Sequence, residues 1–149
     1  MVRRKIFLFI SFFLLMAATA SSAYWNKRFV TLKDQLNQGS SGEVSIERMG
    51  RIPGQRVLGI TVYKLKPNST YSVWFVNKGE TTEMKPAGID TNHFKTDGAG
   101  NGRYVTTTYE DVLDDWRYIE INLHPDNNPA NTKDMILTLK GDMIYGFHS

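Results

Sequence analysis

Apolar and polar side chains alternate with a period of two along much of the chain after residue 24, and this alternation constrains the fold most. Seven segments alternate in this way or are rich in β-branched and aromatic residues: 43–49, 56–65, 70–77, 93–96, 103–109, 118–124 and 135–140. Clusters of Gly, Pro, Asn and Asp separate them, as tight turns require. Strands that recur about every 8–15 residues predict an antiparallel all-β sandwich of about seven or eight strands, rather than βαβ units.

Two segments carry more detail. Residues 70–77 are apolar on both faces, which predicts a central strand that is covered on each side. Residues 118–124 alternate cleanly. The predicted inward residues there are Ile119, Ile121 and Leu123, and the predicted outward residues are Glu120, Asn122 and His124.

Helical spacing is found in one stretch. Its apolar residues stand at i, i+3, i+4 and i+7, and they are Tyr109, Val112, Leu113 and Trp116. We expect one short helical turn at about 110–115, lying over an open end of the sandwich. Residues 24–38 fit either a short N-terminal helix or an edge strand, because their apolar residues are spaced by three and four.

Residues 1–23 have the layout of a secretory signal peptide. Arg3, Arg4 and Lys5 precede an apolar run over residues 6–20, and small residues follow it. A membrane-spanning helix needs about 20 apolar residues, so this run is short for one, and an uncleaved N-terminal anchor is the alternative. We therefore expect residues 24–149 to form a single β-sandwich domain that is secreted or extracytoplasmic.

Charge and cysteine content exclude several function classes. The leader holds three of the 18 basic residues and none of the 15 acidic ones, so the remaining chain has 15 of each. Without a basic excess, nucleic acid is not expected as a partner, and a membrane is expected only through an uncleaved anchor. The absence of cysteine excludes disulfides and thiolate metal sites. Export without cysteine favours a bacterial envelope.

The segment from Leu65 through Pro67 to Tyr71 resembles the tyrosine corner of fibronectin type III and related immunoglobulin-like sandwiches. In that corner the chain crosses from one sheet to the other. The tyrosine hydroxyl binds loop backbone that would otherwise lack a partner. The resemblance implies a structural role for Leu65, Pro67 and Tyr71.

A longer stretch, from Tyr63 to about Gly141, resembles the extracytoplasmic C-terminal domain of anti-sigma-K factors. The matching segments are 65–67, 71–76, 93–98 with Gly100 and Gly102, and 119–123, followed by a Pro-containing loop and a last apolar strand. The resemblance implies an immunoglobulin-like sandwich outside the membrane that senses or interacts. The family also carries a zinc-binding His/Cys motif in a sigma-binding domain. This chain has no cysteine and only five residues before its apolar run, so sigma-factor inhibition is not carried over.

Candidate metal sites are poorly supported by spacing. His93, His124 and His148 lie far apart in the sequence, so surface or rim positions are expected for all three. A copper/zinc superoxide-dismutase-like site would need several converging histidines. The loop from Asp97 to Gly102 lacks the oxygen ligands of a calcium loop and is expected to be a hairpin turn. No metal and no cofactor are expected.

Candidate catalytic residues are equally scarce, and none is assigned. An acidic quartet is interpreted as a solvated face: Glu110, Asp111, Asp114 and Asp115. Trp74 is expected in the core, whereas Trp25 and Trp116 are possible ligand contacts. The sequence therefore predicts an exported non-enzymatic module that binds another protein or a cell-envelope component. A carbohydrate- or small-ligand-binding sandwich is the alternative, followed by a metal-binding enzyme of superoxide-dismutase-like architecture.

Overall fold

The computed structural model describes residues 27–50 and 52–143, and the leader predicted at residues 1–23 lies outside these ranges. The described elements are nearly all strands, as the alternation predicts. In chain order they are β1 (Lys27–Asp34), β2 (Ser41–Arg48), β3 (Gln55–Tyr63), β4 (Thr70–Lys78), β5 (Thr82–Pro86), β6 (His93–Lys95), β7 (Gly102–Tyr109), α1 (Glu110–Asp114), β8 (Tyr118–His124) and β9 (Ile136–Asp142).

All strand pairs are antiparallel and belong to one sheet that curls into a half-barrel. The strand order is β5-β4-β8-β9-β1-β2-β3-β7, and β6 pairs with β4. β1 changes partner along its length. It pairs with β2 as far as Leu32, and its last residues, Lys33 and Asp34, pair with β9. This change of partner joins a half made of β2, β3 and β7 to a half made of the other strands.

Nine strands are present in the described residues, so the expected number of seven or eight is too low. β1 comes from the segment that fitted either a helix or an edge strand. It is neither, because it lies between β2 and β9. β5 was not predicted, because its five residues show no apolar alternation, and all five are exposed.

The core lies between the inward faces of the two halves. Its largest fully buried apolar side chains are Leu32, Leu58, Ile60, Tyr71, Phe75, Leu113, Ile119, Ile121, Leu139 and Met143. An aromatic row connects the halves, because Phe94 of β6 lies between Tyr71 of β4 and Tyr104 of β7. The ring centroids are 5.8 Å apart for Tyr71 and Phe94 and 6.3 Å apart for Phe94 and Tyr104. Such ring pairs add stability beyond their buried area.

The predicted inward and outward faces of β8 need a correction. Its outward polar residues are all buried: Glu120, Asn122 and His124. β8 is a central strand between β4 and β9, and polar partners lie near two of these residues: lysines of both neighbouring strands near Glu120, and Ser72 near His124. The side-chain nitrogen of Asn122 is buried and has no hydrogen-bond partner among the described residues. Lys78 Nζ lies 3.1 Å and Lys140 Nζ 3.8 Å from Glu120 Oε1. Alternation therefore identified two faces but not the extent to which each is covered.

The predicted short helical turn is present as α1, which follows β7 directly. Leu113 is buried, and Val112 and Trp116 are partly buried and pack against the core. Among the described residues, no helix has the length and apolar character that a membrane crossing requires. α1 matters for function because its first residue, Glu110, reaches the end of the half-barrel described next.

Candidate functional site

Three arginines face inward at one end of the half-barrel. Arg28, Arg48 and Arg56 belong to the neighbouring strands β1, β2 and β3. Each stands two residues from a buried apolar side chain of its own strand, so all three are on the core-facing side. Those buried neighbours are Val30, Ile46 and Leu58. We call this group of three residues the arginine end.

The strand register places two of the arginines side by side. Arg48 of β2 and Arg56 of β3 are directly opposite each other, and Arg28 of β1 is opposite Ile46. Like charges directly opposite on neighbouring strands destabilise a sheet. The arginine end therefore needs negative charge nearby.

Glu110 supplies part of that charge. β7 pairs with β3 so that Tyr109 is opposite Gln55, which places the next residue, Glu110, next to Gly54 and diagonal to Arg56. The Glu110 backbone N–H donates to the Gly54 carbonyl oxygen at 2.8 Å. The Glu110 carboxylate accepts a hydrogen bond from Arg56 and lies 3.5 Å from Arg28 Nη2.

One partner of this ion pair is buried, unlike the partners of an ordinary surface ion pair. The Arg56 side chain is 9% exposed and the Glu110 side chain 35%. The hydrogen bond from Arg56 and the positive charges of all three arginines lower the pKa of Glu110 below its usual value, against a smaller opposing effect of desolvation. Two guanidinium groups, those of Arg48 and Arg56, stand beside this one carboxylate, which leaves a local surplus of one positive charge.

A pocket of about 300 Å³ opens beside Arg48 and Arg56. Its polar side consists of these two arginines and Glu110, and its apolar side comes from Met49, Ile52 and Pro53 of the β2–β3 hairpin. Met49 is 42% and Ile52 55% exposed, which is unusual for large apolar side chains that line a concavity. Concave shape, apolar surface and a few charged groups are the common features of ligand-binding sites.

Sequence reasoning missed this site because charge was judged by its order along the chain. Three members of the acidic quartet, Asp111, Asp114 and Asp115, are exposed as predicted. The prediction is wrong for Glu110, which is half-buried and paired. A usable signal was present in the strands, because Arg28 and Arg56 each occupy an inward position of the alternation where an apolar residue is expected.

The residues assigned to the tyrosine corner lie in the loop that crosses from β3 in one half to β4 in the other. The Tyr71 hydroxyl accepts a hydrogen bond from the Lys66 backbone N–H at 3.0 Å. Leu65 is buried in the core, and the exposed Pro67 offers its carbonyl oxygen to the Ser69 hydroxyl at 2.9 Å. Burial raises the pKa of Tyr71, and the bond from Lys66 opposes that rise.

Replacing Tyr71 with phenylalanine should lower the free energy of unfolding by about 1 kcal/mol, because one hydrogen bond is lost while the buried ring remains. Tyr109→Phe is a matched control, since Tyr109 is half exposed on the outer side of β7. Urea unfolding followed by tryptophan fluorescence would measure both variants. Equal midpoints for the two variants would show that the corner contributes no stability.

The tryptophans predicted as ligand contacts differ in position. Trp25 lies outside the described residues. Trp116 is half-buried just after α1 and packs against the core, so part of its ring serves packing. Trp74 is also half-buried, and its ring N–H donates to the Ser72 hydroxyl at 2.8 Å. Contact between Trp116 and a ligand stays a prediction.

The three histidines that were predicted at the surface or rim also differ in position. His93 is exposed as predicted, and His148 lies outside the described residues. The prediction is wrong for His124, which is fully buried and has its Nε2 2.8 Å from Ser72 Oγ and its Nδ1 3.1 Å from the Asn131 carbonyl oxygen. Over residues 27–50 and 52–143, no three His, Asp or Glu side chains are grouped to hold a metal ion.

Ser72 and His124 are at the distance of a nucleophile and its base, a proximity that the sequence did not reveal. Both side chains are buried, however, and the remaining partners of the pair come from the protein itself. Trp74 donates to Ser72, and Asn131 binds His124. We interpret the pair as a structural network that holds the loop between β8 and β9 against the sheet.

Comparison of the chain with models of protein families, with curated proteins and with solved structures gives no match. The function of the arginine end is therefore inferred from its geometry and charge. The pocket combines a surplus of positive charge with exposed apolar side chains. It is the site from which we argue function.

Proposed function

We propose that this chain is an exported, non-enzymatic β-sandwich module of the immunoglobulin-like class that binds another protein or a cell-envelope component. The hydrogen bond from Lys66 to the Tyr71 hydroxyl supports the immunoglobulin-like class, because it is the contact made in a tyrosine corner. The leader pattern of residues 1–23 supports export. The arginine end, with the pocket beside it, is the proposed binding surface.

The observation that carries this proposal is the convergence of three arginines beside an exposed apolar hairpin. Arginine and apolar side chains are enriched at binding interfaces, where arginine presents a rigid fork of donors. Met49 and Ile52 belong to the hairpin loop that begins directly after Arg48, the last residue of β2. A partner that covers this end would neutralise charge and bury apolar surface in one contact.

A photo-crosslinking residue in place of Ile52 tests the proposal in the envelope of the exporting cell. The expected result is a discrete adduct from position 52 that is lost when Arg48→Glu is added. A crosslinker in place of Ile89 is the matched control, because Ile89 is at least as exposed but lies in the loop between β5 and β6. Adducts of equal yield from both positions, or an adduct that is indifferent to Arg48→Glu, would contradict the proposal.

Small-ligand binding is the second candidate function, and the pocket of about 300 Å³ favours it. Ligand pockets typically range from about 300 to 1,000 Å³, so this one would accept a small molecule. The two candidates are compatible, because a pocket of this size can also hold one side chain or one terminal group of a larger partner. Its charge and its apolar side restrict what that group can be.

A further inference from the structure

We propose that the pocket at the arginine end binds an amphipathic oxyanion, meaning a phosphate or carboxylate group attached to a short apolar chain. This inference rests on the proposed binding function and specifies the chemistry of its ligand. Three features of the pocket lead to it: the surplus of guanidinium groups, the exposed apolar side and the small volume.

Charge determines one end of the ligand. Arg56 is held by the Glu110 carboxylate and by its bond to the Gln55 carbonyl oxygen at 3.1 Å. The guanidinium of Arg48, directly opposite, forms no hydrogen bond or ion pair with another described residue. A planar guanidinium with unused donors matches the geometry of a carboxylate or phosphate group. An anion bound to Arg48 would also reduce the repulsion between Arg48 and Arg56.

Apolar surface determines the other end of the ligand. Met49 and Ile52 line the pocket yet remain largely exposed, and Pro53 lies between them and the β3 strand. Covering these side chains with hydrocarbon removes apolar area from water, at about 25 cal/mol for each Å². An inorganic anion cannot make this contact. A ligand that carries carbon atoms next to its charged group can make both contacts at once.

Volume sets the size of the ligand. Ligand pockets range from about 300 to 1,000 Å³, so a pocket of about 300 Å³ lies at the small end of that range. This space accommodates one oxyanion and a few carbon atoms. A soluble metabolite or the headgroup and first methylenes of a lipid would both meet this requirement.

Glu110 makes the pocket selective for the position of the charge. Its carboxylate occupies the Arg56 side, so a ligand anion is repelled there and directed toward Arg48. A cationic ligand would meet the surplus of arginines instead. The pocket should therefore reject amines that have the same apolar chain.

Hexyl phosphate, inorganic phosphate and hexylamine are the probes that test this inference, with the full chain in a non-ionic detergent and calorimetric titration as the readout. We expect hexyl phosphate to bind at least about tenfold more tightly than inorganic phosphate and hexylamine not to bind. Arg48→Gln should weaken hexyl phosphate binding by about tenfold or more, and Ile52→Ser should reduce the preference over inorganic phosphate. Added salt should weaken binding of both anions.

Arg103→Gln is the matched control, because Arg103 is an exposed arginine at an outward position of β7. An equal loss of hexyl phosphate binding in Arg48→Gln and Arg103→Gln would show that the ligand responds only to the net charge of the protein, and this would overturn the inference. So would equal binding of inorganic and hexyl phosphate, or no binding of either. Lysophosphatidic acid in the same micelles identifies the source: binding in preference to hexyl phosphate indicates a lipid headgroup, and the reverse order indicates a soluble anion.

The crosslinking test and the hexyl phosphate test can give different outcomes, and each outcome bears on a different proposal. If position 52 crosslinks to a partner while hexyl phosphate does not bind, the proposed function stands and the oxyanion inference is wrong. If hexyl phosphate binds at Arg48 while position 52 gives no adduct, the arginine end binds a small ligand rather than a macromolecule.

Discussion

Replacing Gly100 with alanine should lower the free energy of unfolding by about 3 kcal/mol, a large loss for a single methyl group. Gly100 has a φ of +78°, a backbone conformation that alanine adopts only at a cost of about 1 kcal/mol. A Cβ atom built on it would also collide with the carbonyl of Leu65. The two penalties act at one position and add.

The surroundings of Gly100 leave no room for adjustment. Its carbonyl oxygen accepts a hydrogen bond from the Leu65 N–H at 2.9 Å, so the two backbones are held in contact. Leu65 itself is buried in the core, at the start of the loop that Tyr71 also binds. A shift of Leu65 away from the new methyl group would therefore disturb both the core and the crossing loop.

Gly98→Ala is the matched control in the same turn, because nothing lies within 4 Å of its Cβ position. Its free energy of unfolding should stay within about 0.5 kcal/mol of the parent chain. Urea titration of both variants compares them directly. Similar midpoints would show that the contact between Gly100 and the crossing loop is not required for stability.

The turn around Gly100 illustrates what sequence can predict. Gly and Asn residues between two short strands predicted a hairpin turn rather than a calcium loop. A turn is present, but the hairpin prediction is wrong, because β6 pairs with β4 whereas β7 pairs with β3. Asp97 Oδ1 accepts backbone N–H bonds from Ala99 at 2.9 Å and Asn101 at 2.8 Å, which is the local contact that such a turn uses. Turn chemistry depends on neighbours in the sequence. For that reason it was predictable.

Strand positions were predictable for the same reason, within a residue or two at most ends. The bounds of β8 match the predicted segment, because its alternation is uninterrupted. β1 could not be assigned, since its two partners, β2 and β9, come from distant parts of the chain. The burial of His124 also depends on long-range contacts, here with Ser72 and with the loop between β8 and β9.

The candidate site depends still more on topology. Arg28, Arg48 and Arg56 are interspersed with acidic residues in the sequence, and nothing there groups the three together. Only the register of β1, β2 and β3 brings them to one end of the inward face. The sequence shows which side of a strand a residue occupies, whereas the neighbours across that side are decided by strand order.

Replacing Glu110 with glutamine should lower the free energy of unfolding at pH 7 by about 2 kcal/mol. Removing one partner of a fully buried ion pair costs about 3 to 5 kcal/mol, because the other charge is left buried. Here Arg56 is the buried partner, at 9% exposure, but Glu110 is 35% exposed and partly screened by water, which reduces the expected cost. The loss is amplified by Arg48, whose like charge lies directly opposite Arg56.

The effect should depend on pH in a defined direction. In the folded protein, interactions with Arg56 and with the other two arginines lower the pKa of Glu110 below the usual value of about 4.5. A carboxyl group whose pKa is lower when folded stabilises the protein above its unfolded pKa. That contribution is lost as the pH falls through the folded value. The parent chain should therefore exceed Glu110→Gln in stability at pH 7, and the difference should shrink steadily below about pH 4.5.

Asp114→Asn is the matched control, because Asp114 is an exposed carboxylate on the same short helix. Its free energy of unfolding should change by less than about 0.5 kcal/mol at pH 7. Urea unfolding of the parent and both variants at pH 7 and at pH 3 separates the two positions. If Glu110→Gln matched Asp114→Asn at pH 7, the carboxylate would not be balancing the arginines. The arginine end would then be stable without a neutralising carboxylate, and repulsion between its arginines would no longer be a reason to expect anion binding.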